Sequence, residues 1–449
     1  MVGFESLGGT VLVPGDAGYD EGRQVFNAMI DRRPAVIAQC DTVADVVAAV
    51  RFGRERGLPI AVRGGGHSVA GMALVDDGLV IDLRRMNDVR VDADARTVTV
   101  GGGTTMAGLD RACQPYGLAT TGGRVSSTGV GGFTLGGGTG WLDRLFGLAC
   151  DNLVTVELVT ADAEVLTVSD TEHPDLFWAL HGGGGNFGIA TSLTLRLHPL
   201  PVFTAAVLLW PPDAGPRVGR AYRDLLESAP DELGGGFVFI TGPPEPFVPP
   251  ELVGRLTCLT LVTYAGDEAA ARAAIAPLLA LEPAGQFIAE LPYGDLQAMF
   301  DDPPGFRNYW SAEHVDDLPD EAIDAFCARA VDMIVPSPSQ HVLFPQGGAV
   351  SRVGADQPLP WRRARWVVHP FGLWDDPADD ERGRQWVRDV RSAVRPWATG
   401  DVYLNFVGDE GRDRVTSGLG EDNVARLAQV KRRYDPDNVF RFNHNITPA

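Results

Sequence analysis

Three glycine-rich stretches, each next to a strand-like segment, constrain this 449-residue chain more than any other feature. They are Arg63-Gly64-Gly65-Gly66-His67-Ser68, then Gly129-Val130-Gly131-Gly132 with Gly136-Gly137-Gly138-Thr139-Gly140, then Gly182-Gly183-Gly184-Gly185-Asn186-Phe187-Gly188. One such run alone reads as a turn, because glycine takes positive φ without steric cost. Several runs in one region point instead to bare backbone approaching a phosphate, where unshielded N–H groups form an anion-binding nest. Gly183-x-Gly185-x-x-Gly188 formally matches a dinucleotide fingerprint, but that fingerprint needs a helix immediately after it. Ile189 to Leu197 alternates like a strand, so a nicotinamide-binding Rossmann domain is not expected.

Short strands and helices alternate from Arg33 to about Pro201. Thr42 to Gly57 has a capping residue and apolar positions at helical spacing, and so predicts a helix. Ile60–Arg63, Leu79–Leu83, Val89–Val91, Thr97–Val100, Val154–Thr160 and Glu164–Val168 predict strands. After about Val202 the glycine runs thin and prolines cluster, which places a domain boundary there. Beyond it, Phe237–Ile240, Leu256–Tyr264, Gln340–Val353 and Trp366–Trp374 predict a sheet, and Ala269–Leu281 and Asp380–Val394 its covering helices. Glu421–Tyr434 predicts a last helix, followed by an extended tail from Val439 to Ile446.

Composition narrows the chemistry. A formal charge of -21 repels nucleic-acid backbones, which require a basic footprint. Lys431 is the single lysine, so neither a pyridoxal-phosphate Schiff base nor a G-K-[ST] phosphate loop has an anchor. The five scattered cysteines show no C-x-x-C spacing, and with no H-E-x-x-H among the eight histidines a metal site is not expected. No serine sits in a G-x-S-x-G elbow. No apolar run reaches membrane-spanning length, and Met1 to Asp16 lacks a secretory pattern, so a cytoplasmic location is the expectation.

The combination of motifs strongly resembles one family. Its pieces are Pro59 to Ser68, Gly122-Gly123 through Gly140-Trp141-Leu142, Asp151-Asn152-Leu153, Asp175 to Leu180 and Gly184 to Gly188. Near the end come Tyr403-Leu404-Asn405-Phe406 and Tyr434 to Phe440. Together they resemble the berberine-bridge-enzyme-like flavoenzymes of the vanillyl-alcohol oxidase superfamily, across nearly the whole chain. The resemblance implies an α+β fold with a PCMH-type FAD-binding domain in two parts. The first is residues 1–202, with its core at about 33–201, and the second is residues 406–449. Residues 203–405 would form an inserted α+β substrate domain, an antiparallel sheet covered by helices.

The same resemblance implies residue roles. His67, which alone would more often be a loop residue than a ligand, becomes the imidazole that bonds the flavin 8α-methyl. Arg63, Gly64, Gly65, Gly66 and Ser68 become the loop around the pyrophosphate. Gly123, Gly129, Gly131, Gly132 and Gly188 join the cofactor cradle, and Ile189 contacts the adenine side through its backbone. Many relatives add a cysteinyl bond where this chain has Val125, so FAD held by a single histidyl link is expected. Thr128 falls where the family gates oxygen. Asn443 and Asn445 match tail residues that return to the flavin, with His444 departing from the commoner glutamine. The family's base tyrosine is Phe406 here. On a strand, Tyr403 and Asn405 would share one face and Phe406 the other. Tyr403, Asn405, Tyr309 and His369 are the catalytic candidates, with His341 considered beside them and Tyr403 also among the cofactor contacts. Each of Tyr309, His341 and His369 reads more readily as a hydrogen-bonded structural residue than as a catalytic one. The implied reaction is hydride transfer from a small molecule, a sugar, alkaloid or polyketide-type compound, to FAD and then to O2. A flavin dehydrogenase that avoids O2, and a flavin-containing protein that sequesters a small molecule, remain as alternatives.

Overall fold

The computed structural model describes residues 7–299, 301, 304–354 and 356–449. Its α+β architecture rests on three larger sheets. The first has four strands in the order Thr10–Leu12, Val36–Gln39, Leu79–Asp82 and Ile60–Arg63, the last three parallel. Parallel strands need a crossover, and the helix Val43–Glu55 carries the chain from Val36–Gln39 to Ile60–Arg63, which flank Leu79–Asp82 on either side. Thr42 caps that helix by accepting from the Asp45 N–H, and Asp45 accepts in return from the Thr42 N–H. Its buried face, with Val46, Ala49, Val50 and Phe52, packs on Ile60, Leu79 and Ile81.

The second sheet is antiparallel, in the order Val89–Asp92, Thr97–Gly101, Ile189–Arg196, Leu153–Val159 and Val165–Val168. The third runs Gly285–Glu290, Thr204–Trp210, Leu256–Tyr264, Leu233–Thr241, Gln340–Pro345, Trp366–Trp374 and Arg307–Trp310, with Glu313–Val315 also paired to Trp366–Trp374. One face of this sheet is covered by the helices Gly215–Ser228, Asp320–Ala328 and Asp380–Val394, which bury Tyr222, Phe326 and Trp386 against Phe237, Phe239 and Val368. The opposite face looks towards the glycine runs.

Two predicted elements come out differently. The strand from Gln340 ends at Pro345, and Gly347 and Gly348, both at positive φ (88° and 57°), turn the chain into the short helix Ala349–Arg352. The helix expected over 269–281 is broken into Glu268–Ala274 and Ala276–Leu279. Pro277 causes the break, because it has no N–H to donate and its ring would collide with the carbonyl of Ala273. The helix Glu421–Tyr434 and the tail behind it pack back on the sheets of the N-terminal half, burying Phe440 and Ile446.

Candidate active site

Between the glycine runs and the open face of the large sheet lies a cavity of about 380 Å³. Its floor is backbone. Gly65 and Gly129 touch so closely that a Cβ on Gly65 would lie 2.3 Å from the Gly129 nitrogen. Gly102 and Gly188 are also bare by necessity: an added Cβ would lie 2.3 Å from the Ala190 carbonyl oxygen at the first and 2.7 Å from the Leu158 side chain at the second. Gly132, Gly184 and Gly185 are bare for another reason: a Cβ there would meet nothing within 4 Å, and all three line the cavity. Side chains at these positions would occupy the space a bound group needs.

The third run confirms the reading against a Rossmann domain. Gly184–Asn186 is a single 3-10 turn, followed directly by the strand Ile189–Arg196.

His67 lines this floor. Its ring stacks on Phe26 (centroids 4.2 Å apart), and Nε2 is hydrogen-bonded to Ser127 Oγ at 2.8 Å. Burial pushes its pKa down to about 4, so the imidazole is neutral at physiological pH. Gly64, Gly65, Gly66, Ser68, Gly123, Val125, Thr128, Gly129, Gly131, Gly132, Gly188 and Ile189 line the same cavity. Arg63 does not. The loop turns away from it, and the buried guanidinium runs beneath Gly66 to donate to the carbonyls of Gly22 and Gln24. It braces the loop from behind.

The wall opposite is built by strand alternation. Val238 and Ile240, Leu259 and Leu261, Gln340, Val342 and Phe344, and His369 and Phe371 occupy every second position of four adjacent strands and line the cavity. This parity sorts the candidate bases. His369 faces the cavity, while His341 faces the helices, stacked on Phe326 (3.8 Å) with Nε2 bonded to the Phe326 carbonyl. Trp310 lines the cavity, so its neighbour Tyr309 points the other way and packs with the helix-side core. Tyr309 is thereby removed as a catalytic candidate.

His369 donates from Nδ1 to the Ser311 carbonyl at 2.8 Å, which leaves Nε2 as the acceptor. Its ring stacks on Phe406, with centroids 4.0 Å apart and planes 12° from parallel. Burial pushes its pKa down to about 3.

Residues 404–406 form a 3-10 turn rather than a strand, so the expected alternation fails: Tyr403, Asn405 and Phe406 all reach the cavity. Tyr403 Oη accepts from the Gly138 N–H (3.0 Å) and from Asn405 Nδ2 (2.8 Å). Burial raises its pKa, so the phenol stays protonated.

In the tail, Asn443 and His444 line the cavity. Asn443 donates to the Phe440 carbonyl at 3.0 Å, and its Oδ1 is buried with no partner among the described residues. Asn445 does not reach the cavity. The pin at Ile446, whose N–H donates to Asn186 Oδ1 at 2.9 Å, sets the register of the tail there. Lys431, wholly buried, donates to Asp435 (2.6 Å) and to the carbonyls of Asn186 (2.6 Å) and Phe440 (2.8 Å), clasping the third glycine run to the tail. The sequence showed this lysine's solitude but not its place.

Arg124 was also missed. It lines the cavity beside Val125, with its guanidinium 4.0 Å from the Phe344 ring centroid. All five cysteines are buried and unpaired, and none lines the cavity. Burial pushes the thiols of Cys113 and Cys150 up to about 12. Among the described residues no cluster could hold a metal ion.

Two family models match: an FAD binding domain over residues 34–169 and a berberine and berberine-like segment over 402–447. Over 462 residues the chain is 32% identical to (R)-6-hydroxynicotine oxidase of Paenarthrobacter nicotinovorans, covering 99% of this chain and 97% of that one. This chain is a berberine-bridge-enzyme-like FAD-linked oxidoreductase. It is also 30% identical, over 98% of its length and 97% of the relative's, to YgaK, an uncharacterized FAD-linked oxidoreductase of Bacillus subtilis. The crystal structure of 6-hydroxy-D-nicotine oxidase from Arthrobacter nicotinovorans superposes on all of this chain with a TM-score of 0.87 at 27% identity, and all of that chain is covered. The PCMH-type fold expected of a berberine-like oxidoreductase is therefore present. The cavity fits FAD: its floor is shaped by absent side chains, an imidazole stands on it, and a buried amide oxygen of Asn443 has no protein partner. No helix among the described residues is long and apolar enough to cross a membrane.

Proposed function

We propose that this enzyme is an oxidase of small organic molecules that holds FAD through one covalent bond to His67. When bound, FAD supplies the hydride acceptor for a substrate C–H bond and passes the electron pair to O2. The observation that carries the reading is the state of His67. Its ring is neutral, its Nε2 is engaged by Ser127, and Nδ1 is left with the capacity to bond a carbon at the cavity floor. Residues 1–202 and 406–449 serve as the cofactor-binding parts and residues 203–405 as the substrate part.

The remaining roles follow from geometry. His369 accepts a hydrogen bond from substrate at Nε2 without bringing charge into the cavity, because Nδ1–H is committed to Ser311. Tyr403 and Asn405 hold the middle glycine run, through Gly138 and the Phe133 carbonyl. Their part is positioning. Thr128 borders the path by which oxygen arrives. Val125 provides no sulfur for a second bond. That relatives are named 6-hydroxynicotine oxidases supports a small-molecule substrate and O2 as acceptor.

The test has two steps. Peroxide release is measured against sugars, aromatic alcohols and cyclic amines; ligand binding without bleaching of the yellow flavin band points to sequestration instead of turnover. Enzyme reduced anaerobically by a positive compound is then mixed with air. Fast reoxidation is expected, and slow reoxidation rejects the oxidase in favour of a dehydrogenase.

A further inference from the structure

The cavity is lined against the charge of the whole protein. The chain has 59 acidic residues against 38 lysines and arginines. Yet among the described residues no carboxylate lines the cavity, and Arg124 is the one lining side chain with a permanent charge.

Arg124 is poorly satisfied for a cation whose side chain is only 13% exposed. It has five N–H donors. Nη1 reaches Thr139 Oγ1 at 3.1 Å and the Thr139 carbonyl at 3.4 Å, and Nη2 reaches the Gly140 carbonyl at 3.0 Å. Nε–H is buried with no acceptor among the described residues. The carboxylate of Asp143 stands 3.7 Å from Nη2, outside the range of a charge-assisted hydrogen bond, and accepts from the Gly140 N–H at 3.2 Å. Burial lowers the Arg124 pKa and raises that of Asp143, as expected for charges deprived of water and incompletely paired.

The wall that faces this cation across the cavity is mostly apolar and aromatic, with Val238, Leu261, Val342, Phe344, Phe371 and Phe406, and its polar side chains are Gln340 and His369. Such a surface offers a sugar few hydrogen-bond partners and offers a protonated amine no counter-ion. It offers an aromatic ring extensive contact, and an anionic oxygen on that ring a desolvated guanidinium. We infer that the substrates are aromatic compounds carrying an anionic oxygen, a carboxylate or a phenolate, anchored by Arg124 against the Phe344 side of the wall. This inference rests on the FAD oxidase reading and narrows it to a substrate class.

Three ligands with one ring system and different charge test it: 1-naphthoate, 1-naphthalenemethanol and 1-naphthylmethylammonium. Each is titrated into the flavin-loaded enzyme, and binding is followed by perturbation of the flavin absorption band. Naphthoate is expected to bind at least about tenfold more tightly than the alcohol, and the ammonium more weakly than either. In Arg124→Leu the advantage of naphthoate over the alcohol should disappear, and Arg124→Lys should restore part of it. Wild-type enzyme that prefers the ammonium, or treats the three alike, overturns the proposal whether or not the variants fold. An unchanged naphthoate preference in Arg124→Leu overturns it as well. Protein that carries no flavin at all would sink the oxidase reading and this inference together, whereas a yellow protein with the wrong preference sinks only the inference.

Discussion

The floor and the wall of the cavity are built on opposite principles. The floor gains its shape from side chains that are missing, at Gly65, Gly129, Gly132, Gly184 and Gly185. The wall gains its character from side chains that are present, on alternate positions of adjacent strands. At Gly65 and Gly129 this floor tolerates no addition, because backbone meets backbone, and at Gly132, Gly184 and Gly185 an added side chain would fill the cavity itself. The wall accepts changes of size and polarity at the cost of altered ligand contacts.

The sharpest way to break this contrast is to substitute both. Gly65→Val would drive a side chain into the Gly129 backbone, 2.3 Å away at the Cβ, so the purified protein should lack the flavin absorption band. Val342→Ala, on the wall, should keep its flavin while changing ligand affinity. Equal loss of flavin in both would erase the distinction. Next in size is Lys431→Met. It leaves Asp435 buried without its cation and should cost about 3–5 kcal/mol in denaturant unfolding, with weakened flavin retention because the tail clasp is gone. A change under 1 kcal/mol would show that the clasp is incidental.

His369→Phe keeps an aromatic ring against Phe406 but removes the acceptor. A fall in kcat of about a hundredfold with normal flavin content is expected, because the acceptor that orients the substrate is lost. Unchanged kcat would return the residue to a structural role.

Much of the floor was legible in the sequence because glycine runs and the motifs around them leave a local signature. Thr42 announced its helix, and the strand after Gly188 excluded a Rossmann domain. The wall was not legible in the same way. All nine residues of Trp366–Trp374 are buried, so hydrophobic alternation cannot say which side faces a cavity and which faces helices. His341 and His369 are therefore indistinguishable until neighbouring strands are placed, and Tyr309 and Trp310 likewise. Arg63 carried a motif position without a cavity contact, because its guanidinium satisfies carbonyls at Gly22 and Gln24, distant in sequence. Phe406 was misread in orientation because a turn replaced the expected strand.

The smallest effect concerns pH. His314, His341 and His369 have folded pKa values pushed by burial to about 3, 4 and 3, below the ordinary 6.5. From pH 6.5 down to about 4 the unfolded chain binds more protons than the folded one, so stability falls as pH falls. Each group contributes up to about 1.4 kcal/mol per pH unit in that window. Asp110 acts in the opposite sense, since burial raises its pKa to about 7 and favours the folded state at lower pH. Burial raises Asp143 and Asp401 as well, but it lowers His67, His181, His198 and His444 beside the three rings named, so the histidines outweigh the carboxyls and the melting temperature should drop on going from pH 7 to pH 5. A flat or rising profile would contradict the neutral burial of these rings.

Every role proposed for this cavity depends on the bond between His67 and the flavin. Fully loaded protein is precipitated with trichloroacetic acid and washed: a yellow pellet over a colourless supernatant is predicted for wild type, and a white pellet over a yellow supernatant for His67→Ala. A white wild-type pellet, or a yellow pellet from the variant, would contradict it.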